Sequence, residues 1–297
     1  MAFICLAGCL LTAFSGFYSV GEYVSSRHAE DSLLVLSWNV ENLMDYRSDT
    51  TGRYTKRRFY TKCNSIAKTI LMISGKEGRI PDAVALMEVE NRFVLERLLS
   101  ATPLRKCTYN IVHFDSPDRR GIDCALLWRE RRLKMRRAKA CHLKDEDDRI
   151  MATRDILLAE FENLDILVNH HPSKLGSGSG ERRKRAMGRM REIMDSLSAA
   201  GHSRVLSVGD FNDDVWGGGG RGTIKYNGAW EKIDGHFASD SLCVREKVFD
   251  DPLLTEPDRT FGGYKPLRSY SGPRFLGGPS DHFPVILWVR LTEYAEK

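Results

Sequence analysis

The sequence predicts an α+β sandwich, in which two β-sheets pack face to face and helices lie outside them. Three observations carry that expectation. Apolar runs of strand length recur along most of the chain, helical periodicity is confined to three segments, and the two kinds do not alternate regularly as in a parallel βαβ protein.

The elements follow in order. Leu33 to Trp38 (LLVLSW) is an apolar run of strand length. Between Arg57 and Ser74, Phe59, Cys63, Ile66, Ile70 and Ile73 recur at helical spacing, and Gly75 marks the end. Pro81 opens a second buried strand, Ala83 to Met87, and Asn91 caps a short helix through Leu99. Strand-like runs follow at 109–114, 122–128, 132–139, 152–161 and 164–169. Glu181 to Ala200 reads as a helix, with Ala186, Met190, Ile193, Met194 and Leu197 on one face. Strands resume at 204–208, 231–238, 242–249 and 283–290. The glycine-rich stretches Gly176 to Gly180 and Gly217 to Gly222 are loops. Arg259 to Pro279 is a long loop rich in Gly, Pro and Tyr, and loops of that length in compact domains are commonly functional.

Composition sets the outer bounds. The chain has 297 residues, 42% hydrophobic and 29% charged, which excludes collagen-like, coiled-coil and wholly disordered classes. It is long enough to bury a large core without disulfide or metal staples. Residues 30–297 read as a single domain. The 45 basic and 40 acidic residues leave a formal charge of +5, a mild bias compatible with polyanionic partners. The seven cysteines form no C-x-x-C pair and are odd in number, so neither a structural zinc site nor a complete disulfide framework is expected. Cys124, in an apolar run, reads as a buried free thiol.

Residues 1–21 carry no charge and are mostly apolar. Residues 1–25 are therefore expected to be a signal segment or a membrane or lipid anchor. Leu6-Ala7-Gly8-Cys9 resembles a lipobox, in which the Cys is lipidated. The polar stretch from Ser25 to Asp31 argues against a buried first helix. Export is expected, to a periplasmic, envelope-associated or secreted location.

The chemistry gathers at strand ends. Asn39, Glu41 and Asn42 follow the first strand, Glu88 the second, and His170-His171 the strand 164–169. Asp210 and Asn212 follow 204–208, Asp234 sits in 231–238, and Asp281-His282 precede the last strand. Taken singly, such residues are commonly turn formers or helix caps. Six such places with coherent chemistry point to one cleft built from distant segments. Asn39, Glu41, Glu88, Asp210, Asn212 and Asp281 offer hard oxygen donors, which suit Mg²⁺, Mn²⁺ or Ca²⁺ better than zinc or copper. A histidine beside such a cation can take a proton from water, and the fitting reaction is phosphate-ester hydrolysis.

These residues, in this order, resemble the endonuclease/exonuclease/phosphatase superfamily. The motifs are Ser37-Trp38-Asn39-Val40-Glu41-Asn42, Leu86-Met87-Glu88-Val89-Glu90, Arg120-Gly121-Ile122-Asp123, Val168-Asn169-His170, Gly209-Asp210-Phe211-Asn212, Lys232-Ile233-Asp234 and Ser280-Asp281-His282-Phe283-Pro284-Val285. They span residues 37 to 285, nearly the whole chain beyond its N-terminal segment. The resemblance implies a four-layer α/β/β/α sandwich of two facing mixed β-sheets with outer helices. It implies Glu88 as principal metal ligand, with Asn39, Glu41 and Asp281 in the metal shell. It implies His282 as general base, or as stabiliser of the charged phosphate where another group is the base, with Asp234 setting its tautomer. Asp210 would orient the attacking water, and Asn212 and His170 would donate hydrogen bonds to the scissile phosphate. His171 is the competing neighbour of His170. Arg120 resembles a position where relatives place a phosphate-facing residue.

Two basic clusters, 129–139 and 181–191, read either as a phosphate-tracking surface or as a charged edge strand and a solvated helix face. The loop 259–279 interleaves Arg259, Tyr264, Lys265, Arg268, Tyr270 and Arg274. Arg268 and Tyr270, just before Asp281-His282, are candidates for substrate contact with a phosphodiester backbone and stacked bases. The leading expectation is a Mg²⁺-dependent nuclease acting on DNA or RNA. A phospholipid phosphodiesterase of sphingomyelinase type shares the chemistry. A non-catalytic nucleic-acid-binding module is disfavoured, because ligand, base and Asp partner are all present. No protein partner is expected.

Overall fold

The computed structural model describes residues 32–174, 176–214 and 222–291. The N-terminal segment 1–25, with its expected signal or anchor, and the glycine run 217–221 lie outside the described residues. Among the described residues, no helix is long and apolar enough to cross a membrane.

The strands are β1 (Ser32–Leu43), β2 (Ala83–Val89), β3 (Asn110–His113), β4 (Asp123–Trp128), β5 (Met135–Cys141), β6 (Ile156–Phe161), β7 (Asp165–His170), β8 (Val205–Asp210), β9 (Ile224–Tyr226), β10 (Ala229–Glu231), β11 (Asp234–Ala238), β12 (Cys243–Val248), β13 (Thr255–Pro257), β14 (Tyr264–Pro266), β15 (Tyr270–Ser271), β16 (Arg274–Phe275) and β17 (Val285–Arg290). The helices are α1 (Lys56–Lys76), α2 (Arg92–Ser100) and α3 (Ser179–Ala199). Six strands form one sheet in the order β12-β17-β1-β2-β4-β3, and five form a second in the order β11-β8-β7-β6-β5. Both sheets are mixed: β1–β2 and β7–β8 are parallel pairs, and the other neighbours are antiparallel.

Side-chain alternation explains the layering. On β1, Leu33 and Val35 face the second sheet, while Leu34, Leu36 and Trp38 face α1 and α2. On β7, Ile166 and Val168 face the first sheet and Leu167 faces α3. A strand covered on both faces is apolar throughout, so these runs read as continuous in the sequence. The result is the expected four-layer sandwich: α1 and α2, first sheet, second sheet, α3. Thr55 caps α1 and Asn91 caps α2 through their side chains.

Several boundaries differ from expectation, each for a local reason. The run 132–139 is a strand only from Met135, because Arg129 to Leu133 make a turn whose arginines reach Asp82. The run 152–161 pairs only from Ile156, because Arg154 is drawn to the His170 and His171 carbonyls. The run 231–238 divides between β10, in a hairpin with β9, and β11, in the second sheet. The long loop 259–279 contains β14, β15 and β16.

Candidate active site

The C-terminal ends of the parallel pairs β1–β2 and β7–β8 face each other across the sandwich and form the floor of the site. Bulges turn the side chains there. The β1–β2 register shifts between Asn39 and Leu43, and the β2–β4 register shifts between Met87 and Val89. Glu41, Asn42, Glu88 and Asn212 all have positive φ, at 50°, 56°, 64° and 51°. Non-glycine residues rarely hold that conformation without compensation from their surroundings. Four such residues at one end of the molecule mark a site where side-chain direction takes precedence over backbone ease.

His282 is the centre. Its Nδ1 lies 2.8 Å from Asp234 Oδ2, which fixes the proton on that nitrogen and leaves Nε2 toward Asp210 Oδ2 at 3.9 Å and Asp281 Oδ1 at 4.0 Å. The segment is stitched to β1: Trp38 Nε1 donates to the His282 carbonyl at 2.9 Å, and Ser280 Oγ donates to the Asn39 carbonyl at 2.6 Å. Burial alone would push the His282 ring down, but Asp234, Asp210 and Asp281 hold it well above its ordinary value. Asp210 is pushed up to about 7 by burial and by Asp234. Asn39 Nδ2 donates to Asp210 Oδ2 at 3.0 Å, and the Asn212 N–H donates to Asp210 Oδ1 at 2.9 Å.

His170 lies beside them, its Nε2 3.7 Å from Asp210 Oδ2 and 3.8 Å from Glu88 Oε1. Burial, Arg154 and Arg120 depress it well below its ordinary value, so it is neutral. His171 is different. It is buried edge-on against Phe211 at 5.1 Å, with neither ring nitrogen hydrogen-bonded among the described residues. His170, and not His171, faces the site.

Glu88 accepts the Asn42 N–H on Oε2 at 2.9 Å, and its Oε1 is oriented toward His170. Arg120 stands at the mouth, donating to Asn42 Oδ1 at 2.9 Å and lying 3.7 Å from Glu88 Oε2. Asn212 Nδ2 donates to the His171 carbonyl at 2.9 Å, which leaves its second amide hydrogen for another acceptor. Asp281 is partly exposed and paired with Arg268 at 2.7 Å.

Two expected residues are held elsewhere. Both Glu41 oxygens accept backbone donors, Ser269 N–H at 2.6 Å and Tyr270 N–H at 3.0 Å, so its carboxylate clamps the loop before Asp281. The expectation that Tyr270 meets substrate does not hold. The residue is 3% exposed, and its ring packs against Tyr54 and Phe275.

Lys62 was not singled out from the sequence. It is buried in α1 and bonds Ser269 Oγ and, at 3.2 Å, the Pro279 carbonyl. Burial lowers it to about 8 while Glu41 and Asp281 oppose the shift. Its signal was a lysine between Phe59, Cys63 and Ile66 on the apolar face of a helix. Arg154, which spans the carbonyls after β7, had no such signal.

The profile of the endonuclease/exonuclease/phosphatase family matches residues 35–217 and 217–291, and so takes in every one of these segments. The chain belongs to that family. Members of the endonuclease/exonuclease/phosphatase family are phosphoester hydrolases that use divalent metals. No curated protein matches the chain. Three solved structures show the family fold in similar form. TDP2 from C. elegans has 17% identity and a TM-score of 0.56, over 92% of this chain and 82% of that one. The human Nocturnin catalytic domain with bound sulfate anion has 16% identity and a TM-score of 0.58, over 89% and 94%. A mannosyl-6-phosphatase from Bacteroides thetaiotaomicron has 18% identity and a TM-score of 0.56, over 86% and 99%.

Proposed function

We propose that the chain is a divalent-metal-dependent phosphodiester hydrolase whose substrate is nucleic acid, DNA or RNA. One observation carries the reading: Asp234 fixes Nδ1 of His282, and the opposite edge of that ring turns toward Asp210 in a pocket shared with His170 and Glu88. The donor set fits a hard cation. Glu88 Oε1 accepts no hydrogen bond among the described residues, Asp210 shares the His170 ring with it, and Asp281 lies 4.0 Å from the neighbouring His282 ring, while the Asn39 oxygen accepts the Glu41 N–H at 3.0 Å. Glu88 would be the main ligand, with Asn39 and Asp281 beside it. Glu41 would act through the loop it clamps as well as through its charge. Mg²⁺ is the proposed ion, with Mn²⁺ or Ca²⁺ of the same oxygen-seeking class, and it would neutralise charge on the phosphate oxygens.

The protein's own groups divide the remaining work. Water attacks phosphorus, one ester P–O bond breaks, and the water proton passes to a base while the leaving oxygen gains one. Asp210 takes the proton-accepting position, and His282 stabilises the charged phosphate. The upward shift of the His282 ring favours a cation on the phosphate, and Asp210 at about 7 is poised to orient the water and receive its proton. His170 and Asn212 would donate to the remaining phosphate oxygens, and Arg120 would meet them at the mouth. Human Nocturnin's catalytic domain, alike in fold, carries a sulfate anion, a tetrahedral oxyanion of phosphate shape.

A second reading is a phospholipid phosphodiesterase. It is favoured by the exposed aromatics Tyr226, Trp230, Phe261 and Tyr264, with Trp230 stacked on Phe283 directly after His282. We further propose that residues 1–25 direct export or anchor the chain at a membrane. A panel of supercoiled plasmid, RNA, sphingomyelin vesicles and a sugar phosphomonoester in Mg²⁺ separates the substrates. Chelator-sensitive turnover of plasmid or RNA above the others is expected. Turnover of sphingomyelin or the phosphomonoester alone would overturn the nucleic-acid reading.

A further inference from the structure

A groove of 550 Å³ opens beside the candidate active site, and Arg119, Thr153, Arg154, Ser173 and Arg182 are among its lining residues. Its floor is tied directly to the site. Arg154 is 8% exposed, and its guanidinium donates to the His170 carbonyl at 3.2 Å, the His171 carbonyl at 2.6 Å and Asp118 Oδ2 at 3.2 Å. One wall begins at Arg119, the residue before Arg120. Arg120 reaches toward Glu88 while Arg119 lines the groove, so adjacent arginines serve adjoining places.

The opposite wall is the start of α3. Residues 182–185 (RRKR) put four cations into the first turns of that helix, where its dipole disfavours positive charge. Local pairing accounts for two. Arg183 meets Asp213 and the Ser173 carbonyl, and Arg185 meets Glu146 and Glu181. Arg182 and Arg119 are exposed and make no ion pair among the described residues. The acid groups around the groove are already engaged, Asp118 by Arg154 and Asp145 by Arg149. The groove therefore carries net positive charge, together with the Ser173 and Thr153 hydroxyls as neutral donors.

We propose that this groove is a second anion subsite that binds a phosphate neighbouring the scissile one. It rests on the reading of the adjoining site as a phosphodiesterase and narrows its substrate to a chain of phosphodiesters. A headgroup with a single phosphate would leave the groove unfilled. Guanidinium groups suit the task, because their planar fork matches two phosphate oxygens at once. The cluster at 129–139 is not equivalent: Arg129 and Arg132 pair with Asp82 before β2, at the opposite end of the strand from Glu88.

The test is the full chain carrying Arg119→Ala and Arg182→Ala, two exposed positions. Anisotropy of a fluorescent oligonucleotide with chelator present, so that no hydrolysis occurs, reads binding, and the difference between the unmodified and substituted chains isolates the groove. Affinity should fall about tenfold or more, and the slope of log affinity against log salt should become shallower by about two. Hydrolysis of bis(p-nitrophenyl) phosphate, which has one phosphate, should be unchanged, whereas KM for an oligonucleotide should rise about tenfold. Unchanged oligonucleotide affinity, an absence of oligonucleotide binding by the unmodified protein, or equal losses on both substrates would overturn the subsite. Wild-type inactivity toward bis(p-nitrophenyl) phosphate counts against the phosphodiesterase reading alone, because the anisotropy result judges the groove independently.

Discussion

His171 and His170 are chemically identical neighbours with separate fates, decided by which way each ring turns from the end of β7. His171 is buried against Phe211 and lowered from 6.5 to about 3 by burial and then by Arg154. The unfolded ring takes up its proton near pH 6.5 and the folded ring only near 3, so its stabilising contribution is full above pH 6.5 and is lost as pH falls toward 3. Each unit of separation is worth about 1.4 kcal/mol at most. His171→Phe, which keeps the aromatic contact, should flatten the fall of Tm between pH 6.5 and 4 relative to the unmodified chain. Parallel Tm curves would contradict this. In the site itself, Glu88→Gln should abolish the response of activity to Mg²⁺, measured as rate against metal concentration, and a normal response would remove Glu88 as ligand. The residues legible in the sequence were those fixed by motif spacing: Asn39, Glu88, His170, Asp210, Asn212, Asp234, Asp281 and His282 all reach one end of the sandwich. Tyr270 was misjudged because composition says that a loop is aromatic but not which aromatic folds under it.

At the scale of elements, strands were legible because burial on both faces leaves uninterrupted apolar runs, and helices because α1 and α3 keep a single apolar stripe. What periodicity cannot show is a bulge. The shifts that aim Glu41 and Glu88 appear only in the pairing of β1, β2 and β4. Nor does it show the strap beneath the site, in which Lys62 of α1 and Glu41 of β1 hold the segment leading to Asp281. Lys62→Met should destabilise the fold by about 3 kcal/mol in denaturant titration, since it strips a buried cation from Glu41 and from two oxygens. A change below about 0.5 kcal/mol would show that the strap is not needed. The glycine before Asp210 has a sharper demand. Gly209 has φ of 149°, and a Cβ there would fall 2.0 Å from the Asn169 carbonyl oxygen on β7. Gly209→Ala should cost about 4 kcal/mol or prevent folding, through strain and overpacking together. A stable, active Gly209→Ala protein would show that β7 and β8 can separate without harm.

Across the whole molecule, the sandwich brings to one end residues that are up to 243 positions apart between Asn39 and His282. That convergence, in a chain whose family consists of phosphoester hydrolases, is what the proposed phosphodiesterase reading rests on, and the proposed subsite at α3 would give it a direction along a substrate chain. The charge clusters show where sequence stops: 129–139 and 181–191 look alike in composition, yet only the second borders the site, because topology sends β4 and β7 in different directions from it. The most direct measurement is nicking of supercoiled plasmid by the full chain in Mg²⁺, with and without chelator, beside His282→Ala. Nicking that the chelator abolishes and that the substitution slows by ~10²-fold or more is expected. Plasmid left intact in both Mg²⁺ and Mn²⁺, or nicked equally by His282→Ala, would contradict it.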